Sequence, residues 1–188
     1  VIGGGHAGIE AALAAARMGI DTVLFTISVD GVANMPCNPS IGGTAKGHLV
    51  FEIDALGGEM GRAADLVTLQ SRTLNTGKGA AVQSKRIQAD RRLYQRIMKH
   101  TLETTPHLHP MQAEIVGITT EERDGGRRVA GVTTAIGEEW ECGAVIVATG
   151  TYLDSRIFVG EHNYPAGPDG FLPAAALTRS LAEAGVYL

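Results

Sequence analysis

The sequence predicts an α/β fold organised around a Rossmann-like parallel sheet, and three observations indicate it. The chain opens on a G-x-G-x-x-G run, with glycines at positions 3, 5 and 8, followed directly by an alanine-rich helical segment. The run Thr-Val-Leu-Phe at residues 22–25 follows at the distance expected of a second strand. A further apolar run at residues 144–150 ends in Ala-Thr-Gly. This order of strand, glycine turn, helix and strand is typical of a dinucleotide-binding unit.

The glycine run has a physical reason at each position. Gly3 permits a tight strand-to-helix turn, Gly5 lets the backbone approach a pyrophosphate, and Gly8 lets helix and strand pack closely. Residues 10–19 predict the helix, whose N-terminus supplies free N–H groups and the positive end of a dipole. A glycine turn that binds no ligand also fits the pattern, so the run predicts a candidate phosphate site.

The two later strands favour a flavoprotein. In flavoproteins with two dinucleotide-binding domains, a strand such as 144–147 returns beside the first strand, and its small residues let the chain pass close to the cofactor. Any buried parallel strand would show the same pattern. No Asp or Glu ends the second strand, where a ribose 2′-hydroxyl is normally bound, so Thr26 or Asp30 would have to substitute.

Composition restricts the class of protein. With 188 residues, 44% of them hydrophobic, the chain can bury one ordinary core, and nothing indicates disorder, collagen or a membrane span. We therefore expect a soluble, cytoplasmic protein. A net charge of −4 argues against a uniformly basic nucleic-acid-binding protein but allows a local basic patch. The two cysteines, Cys37 and Cys142, give no disulfide framework.

The middle of the chain predicts a long loop, two helices and a meander. Residues 28–47 are rich in Gly, Pro, Asn and Ser, and their length favours an active-site loop. Apolar spacing predicts a helix over 48–60 and, after irregular residues 65–83, a helix of about twenty residues over 85–105, whose basic side chains fit a solvated face. Patterns over 114–118, 127–134 and 138–142 predict an antiparallel β-meander that leads into the strand at 144–147.

Several longer motifs carry a closer resemblance. They are Gly-Gly-Gly-His-Ala-Gly-Ile-Glu-Ala-Ala at 3–12, Cys-Asn-Pro-Ser-Ile-Gly-Gly at 37–43, Lys-Gly-His-Leu at 46–49, Asp-Ala-Leu-Gly-Gly at 54–58, Gln-Ala-Asp-Arg at 88–91, Gly-Thr-Tyr-Leu at 150–153 and Asn-Tyr at 163–164. In these motifs the chain resembles the GidA (MnmG) family over essentially its whole length.

The resemblance implies an activity. Members of this family act with a GTPase partner, MnmE, to install a carboxymethylaminomethyl or aminomethyl group at C5 of the tRNA wobble uridine. FAD, NADH and methylene-tetrahydrofolate take part, and the enzyme is a homodimer. Residues 1–188 would then be the N-terminal part of the FAD-binding domain, truncated at both ends, without the nicotinamide region and the helical C-terminal tRNA-binding domain. The implied fold is that of a glutathione-reductase-type two-dinucleotide-binding flavoprotein with a small antiparallel β-meander.

The resemblance also implies roles for individual residues. The FAD diphosphate loop would comprise Gly3, Gly4, Gly5, His6, Ala7 and Gly8. Ile115 matches a strand position whose backbone meets the adenine, and Thr149 and Gly150 would lie near the cofactor. Cys37 matches a family cysteine suspected of acting near the flavin, as a nucleophile or in redox protection, although a small packing residue fits equally well. Lys46 or a helix N-terminus would favour a reactive thiolate there.

Other polar residues are less distinctive. Lys78 and Arg86 match basic family positions and would neutralise cofactor phosphate or bind tRNA, but structural ion pairing explains them as well. Cys37, His6 and His48 lack the paired spacing of zinc ligands, so no metal is expected.

Two other functions also fit the sequence. The related folate- and FAD-dependent tRNA uridine methyltransferase shares the N-terminal fold but lacks the Cys-Asn-Pro-Ser-Ile-Gly-Gly arrangement. A non-catalytic flavin-binding module would keep the fold without the chemistry.

Overall fold

The computed structural model describes residues 1–187. Its helices are α1 (His6–Arg17), α2 (Gly47–Ala55), α3 (Met60–Val67), α4 (Arg91–Thr104) and α5 (Ala175–Glu183). Its strands are β1 (Thr22–Thr26), β2 (Ser40–Gly42), β3 (Thr68–Leu74), β4 (Ser84–Ala89), β5 (Leu108–Gln112), β6 (Ile115–Arg123), β7 (Gly126–Thr134), β8 (Glu139–Glu141), β9 (Arg156–Val159) and β10 (His162–Pro165). No helix within this part of the chain is both long and apolar enough to cross a membrane.

The parallel sheet is centred on the start of the chain. Ile2 forms parallel bridges to Phe25 in β1 on one side and to Val147 on the other, and β1 pairs in parallel with β5. The Ile2 amide donates to the Ile146 carbonyl, and the Ala148 amide donates to the Ile2 carbonyl, both at 2.8 Å. Four parallel segments thus run in the order β5, β1, residue 2 and residue 147, as in a dinucleotide-binding half. The predicted Rossmann-like α/β class is confirmed.

The segment at residues 144–147 differs from the prediction of a buried strand. It does return beside the first strand, but only Val147 forms a ladder bridge, and Ile146 and Val147 remain 44% and 39% exposed. Within residues 1–187 no strand pairs with its far side, so the apolar run lies at the sheet edge.

The main core lies between the sheet and the helices α1 and α4. α1 buries Ile9 and Leu13 completely, and Leu24 of β1 is equally inaccessible. Helix α4 contributes Tyr94 and Met98 to the same cluster. These helices fix the glycine turn because α1 begins inside it.

The prediction of a helix over 85–105 is wrong for its first part. Residues Ser84–Ala89 form strand β4, which pairs with β3 and with β2, and α4 begins only at Arg91. The physical reason is Asp90, whose side chain accepts a hydrogen bond from the Leu93 amide at 2.9 Å and caps the helix. The basic side chains at 85 and 86 therefore belong to a sheet rather than to a solvated helix face.

The helix predicted over 48–60 ends earlier than expected, at Ala55, and a separate helix begins at Met60. α2 ends before Gly57, which has φ +86°, and α3 starts after Glu59. A side chain at Gly58 would lie 2.2 Å from the Ile53 side chain, so only glycine permits this corner. The residues predicted as irregular at 65–83 contain β3, whose exposed side chains lack the apolar alternation that identifies a strand.

The predicted antiparallel meander is confirmed as β6, β7 and β8. α5 packs on it, and the Ser180 hydroxyl accepts a hydrogen bond from the Ile118 amide at 2.9 Å. A second core cluster joins Phe25 of the parallel sheet to Ile115, Val132 and other apolar residues of this unit. The meander is thereby fixed beside the carboxyl end of β1.

Candidate dinucleotide-binding site

A cavity of about 470 Å³ lies where the glycine turn, the end of β1 and the start of β6 meet. Its lining includes Gly3, Gly4, Gly5, Ile115, Thr149 and Gly150, six residues that the sequence predicted to bind a cofactor. Ligands of open α/β sheets bind outside the carboxyl ends of the strands, and pockets of roughly 300–1,000 Å³ are usual for them. Residues more than a hundred positions apart in the chain therefore converge on a site of suitable size and place.

The three motif glycines of the turn differ in the space around them: Gly3 and Gly8 lie against backbone atoms, whereas Gly5 borders open space. A Cβ on Gly3, which has φ +115°, would lie 2.2 Å from the Ala148 carbonyl oxygen. A Cβ on Gly8 would lie 1.9 Å from the Gly3 carbonyl oxygen. A Cβ on Gly5 would meet no atom within 4 Å. The open space beside Gly5 fits the close approach of a ligand to the backbone.

The N-terminus of α1 adds polar groups to this turn. Gly5 occupies the N-cap position, and the Ile9 amide donates to the Gly5 carbonyl at 2.9 Å. The amides that precede Ile9 in the helix have no carbonyl one turn earlier within it. Because the first turn contains no acidic side chain, this helix end can bind an anionic group.

The other residues of the predicted diphosphate loop do not line the cavity. His6 is half-buried and stacks on the ring of Tyr94, with 5.7 Å between ring centroids and 27° between planes. Burial lowers the pKa of His6, so the imidazole is neutral at pH 7 and offers no positive charge to a phosphate. Gly8 is buried by the packing of α1, and Ala7 is exposed. His6 thus packs the turn against the fully buried Tyr94.

The structure separates the two residues predicted to replace a strand-end carboxylate. Thr26 lines the cavity, and its hydroxyl donates to the Ser28 carbonyl at 3.1 Å. Asp30 does not line it; its carboxylate accepts from Lys99 Nζ at 2.7 Å. Glu114 also belongs to the lining; it lies in the strand predicted over 114–118, but the sequence did not predict it as a site residue.

An apolar wall of the cavity was also not predicted from the sequence. It comes from residues 152–177 and includes Tyr152, Phe171, Leu172 and Leu177. The rings of Tyr152 and Phe171 lie 6.4 Å apart. Only their position after the Ala-Thr-Gly strand could have indicated them, since nothing in their spacing distinguishes a cavity wall from a core.

Cys37 lies beside the cavity rather than in its lining. Asn34 and Pro36 of the same loop line the cavity, and the Ala33 amide donates to the Gly4 carbonyl at 3.0 Å. The Cys37 thiol is exposed and receives a hydrogen bond from Asn38 Nδ2 at 3.3 Å. The loop is thus tied to the glycine turn, whereas the chemical role of the thiol stays a prediction.

Known proteins are similar to this sequence along its whole length. The family model described as "Glucose inhibited division protein A" matches residues 1–188. The chain belongs to this family. It is similar to the tRNA uridine 5-carboxymethylaminomethyl modification enzyme MnmG of Clostridium novyi, at 56% identity over 100% of this chain and 29% of the relative. The enzyme of the same name from Caldicellulosiruptor saccharolyticus is 54% identical over the same shares.

Solved structures of family members agree with the fold. GidA of Aquifex aeolicus, in its form II crystal, superposes with a TM-score of 0.88 at 47% identity, over 97% of this chain and 30% of that one. The GidA-related protein from Thermus thermophilus shares the fold at 24% identity and a TM-score of 0.64, over 98% of this chain and 66% of that one. The chain spans about three tenths of the length of the MnmG relatives it matches.

Proposed function

We propose that this chain is the FAD-binding part of an enzyme that adds a carboxymethylaminomethyl or aminomethyl group to C5 of the tRNA wobble uridine. The observation that carries the proposal is the convergence of the glycine turn, Ile115 and the Thr149–Gly150 pair on one cavity. Its place in the GidA family and the names of its MnmG relatives supply the reaction.

The residues present fit FAD. The space beside Gly5 and the N-terminus of α1 would hold the diphosphate, and Ile115 would contact the adenine through its backbone. Glu114 and Thr26 are among the polar residues of the lining that would meet a ribose, and the wall with Tyr152 and Phe171 is apolar. Bound FAD would supply the redox chemistry, while the chain binds and orients it and excludes water.

The proposal extends to the complete enzyme. It includes NADH and methylene-tetrahydrofolate as co-substrates, MnmE as GTPase partner, a homodimer and a cytoplasmic location. Residues 1–188 are then the N-terminal part of the FAD-binding domain, and further regions complete the site. The share of about three tenths of the relatives' length supports this assignment.

The other two functions are less well supported. Identities of 56% and 54% to relatives named MnmG favour the carboxymethylaminomethyl reaction over the folate- and FAD-dependent methyltransferase. Retention of the Cys37 loop and its hydrogen bond to the glycine turn favours an enzyme over a non-catalytic module.

Mass spectrometry of tRNA nucleosides tests the proposed reaction. We expect cells that lack the complete gene to lose the 5-substituted wobble uridine and to regain it when the wild-type gene is restored. An unchanged wobble nucleoside would contradict the proposal. Selective loss of 5-methyluridine would instead support the methyltransferase.

A further inference from the structure

The sheet formed by β2, β4 and β3 carries a cluster of polar side chains on one face. Arg72 in β3 lies directly opposite Arg86 in β4, and Gln70 lies opposite Gln88. Side chains two residues apart on a strand share a face, so these four side chains lie together. Ser40 of β2 joins them, because Arg86 Nη2 donates to its hydroxyl at 3.3 Å. We call these five residues the arginine face.

The opposite face of the same sheet has a different character. Lys85 and Ile87 of β4, with Ser71 of β3, line a second cavity of about 520 Å³ beneath α2 and α3. Asp54 and Asp65 line that cavity as well. The carboxylates of the two neighbouring helices are therefore on the far side of the sheet from Arg72 and Arg86.

The two arginines lack a compensating carboxylate. Among residues 1–187, neither Arg72 nor Arg86 forms an ion pair with a carboxylate. The arginines and lysines that do form such pairs are Arg17, Arg62, Lys99, Arg123, Arg127 and Arg128. Arg72 is exposed and Arg86 half-buried. Like charges directly opposite each other across strands are destabilising. An anion placed between the guanidinium groups would remove that repulsion, and a phosphate matches their planar donors.

Positive charge continues at one end of this sheet. The loop after β2 carries Lys46 and the loop after β3 carries Lys78, and both side chains are exposed. Asn75 Nδ2 donates to Thr44 Oγ1 at 3.0 Å and holds the two loops together. Together with Lys85 on the other face, five cations thus lie on one connected unit although the whole chain has a net charge of −4. This separation of charge is the local basic patch that an acidic chain requires for binding a polyanion.

We propose that the arginine face binds the sugar-phosphate backbone of RNA. Arg72 and Arg86 would each contact a phosphate, and the amides of Gln70 and Gln88 would donate to adjacent phosphate or ribose oxygens, as such side chains do in nucleic-acid complexes. The inference rests on the proposed function, which supplies an RNA substrate, and assigns the residues of this chain that hold it. A site for backbone contacts positions the RNA without reading its sequence.

Salt-dependent RNA binding by the full-length protein tests this inference. We expect R72Q and R86Q each to weaken tRNA binding about tenfold at moderate salt, since each removes a charge-assisted hydrogen bond. Each variant should also lower the slope of log affinity against log salt by roughly 0.7 for a single-stranded contact. The charge-conserving R72K and R86K variants should retain the slope. K85Q, which removes one charge from the other face of the same strand, should bind like wild type.

The outcomes separate this inference from the proposed function. Variants R72Q and R86Q that bind tRNA like K85Q would overturn the inference while leaving the proposed reaction intact. Loss of bound flavin together with RNA affinity would also overturn it, because the arginines would then serve the cofactor or the fold. A wild-type enzyme that binds no tRNA, in cells whose wobble uridine is unmodified by this gene, would overturn the proposed function itself.

Discussion

The three motif glycines differ in what surrounds them. Gly3 and Gly8 lie against backbone atoms of the neighbouring segment, whereas Gly5 borders empty space and has φ −77°, which any residue can adopt. Substitution at Gly5 therefore affects the ligand more than the fold, and substitution at Gly8 affects the fold.

A pair of glycine variants measures this difference. We expect Gly5→Val to abolish flavin binding, because the added side chain fills the space where the pyrophosphate would approach the backbone. Its apoprotein should lose only about 1 kcal/mol, since valine is a poor helix N-cap. Gly8→Ala should lose roughly 1–3 kcal/mol or more through the contact with the Gly3 carbonyl. Flavin absorbance and urea unfolding report the two effects, and full flavin occupancy in Gly5→Val would refute the assigned turn.

The exposed thiol of Cys37 gives a second residue-level prediction. Cys37→Ser in the full-length enzyme should retain flavin but lose tRNA modification, because a hydroxyl is a far poorer nucleophile than a thiolate. Cys142→Ser is the matched control, since Cys142 packs against the second core cluster outside the cavity lining. Nucleoside mass spectrometry supplies the measurement. Undiminished modification by Cys37→Ser would make Cys37 a structural residue.

At the scale of elements, a carboxylate on α1 determines where α3 begins. Glu10 accepts hydrogen bonds from the amides of Glu59 and Met60, at 3.0 and 2.7 Å from Oε1. Glu59 in turn pairs with Arg17 Nη2 at 2.5 Å, so two residues of α1 hold the first turn of α3. This explains why the chain can reverse at Gly57 and Gly58 without a long loop.

Replacement of Glu10 should loosen this junction. We expect Glu10→Ala to lower the free energy of unfolding by about 2 kcal/mol, because two partly buried amides lose a charged acceptor. Glu103→Ala serves as the control, since its carboxylate lies 4.0 Å from Lys99 at the surface and such pairs contribute at most about 1 kcal/mol. Urea denaturation of both proteins decides the matter, and equal stabilities would show that Glu10 does not anchor α3.

At the scale of the whole molecule, the parallel sheet and much of the site could be predicted from sequence. The glycine run at residues 3–8 has few physical meanings, and the predicted return of residues 144–147 beside it is seen, although only Val147 forms a ladder bridge. The meander could also be predicted, because apolar and polar residues alternate in its strands and a glycine-containing turn separates them. The glycine run and the alternating strands are local patterns that can be seen directly in the sequence.

The antiparallel sheet was not predictable in the same way. β3 exposes almost all of its residues and β4 carries adjacent basic ones, so neither shows the alternation of a half-buried strand. Both were decided by pairing with each other and by the cap at Asp90. The cavity wall at Tyr152 and Phe171 has the same origin, because it exists only through packing of distant segments.

The hydrogen bond from Ala33 to Gly4 makes the thiol loop and the glycine turn one mechanical unit. If flavin binds at the turn as proposed, it would also restrict the loop that carries Cys37, so we expect cofactor binding and the position of the thiol to be coupled. We therefore expect substitutions within residues 33–37 to change cofactor binding as well as the position of the thiol. A loop that is tied to the glycine turn in this way cannot be exchanged as an independent module.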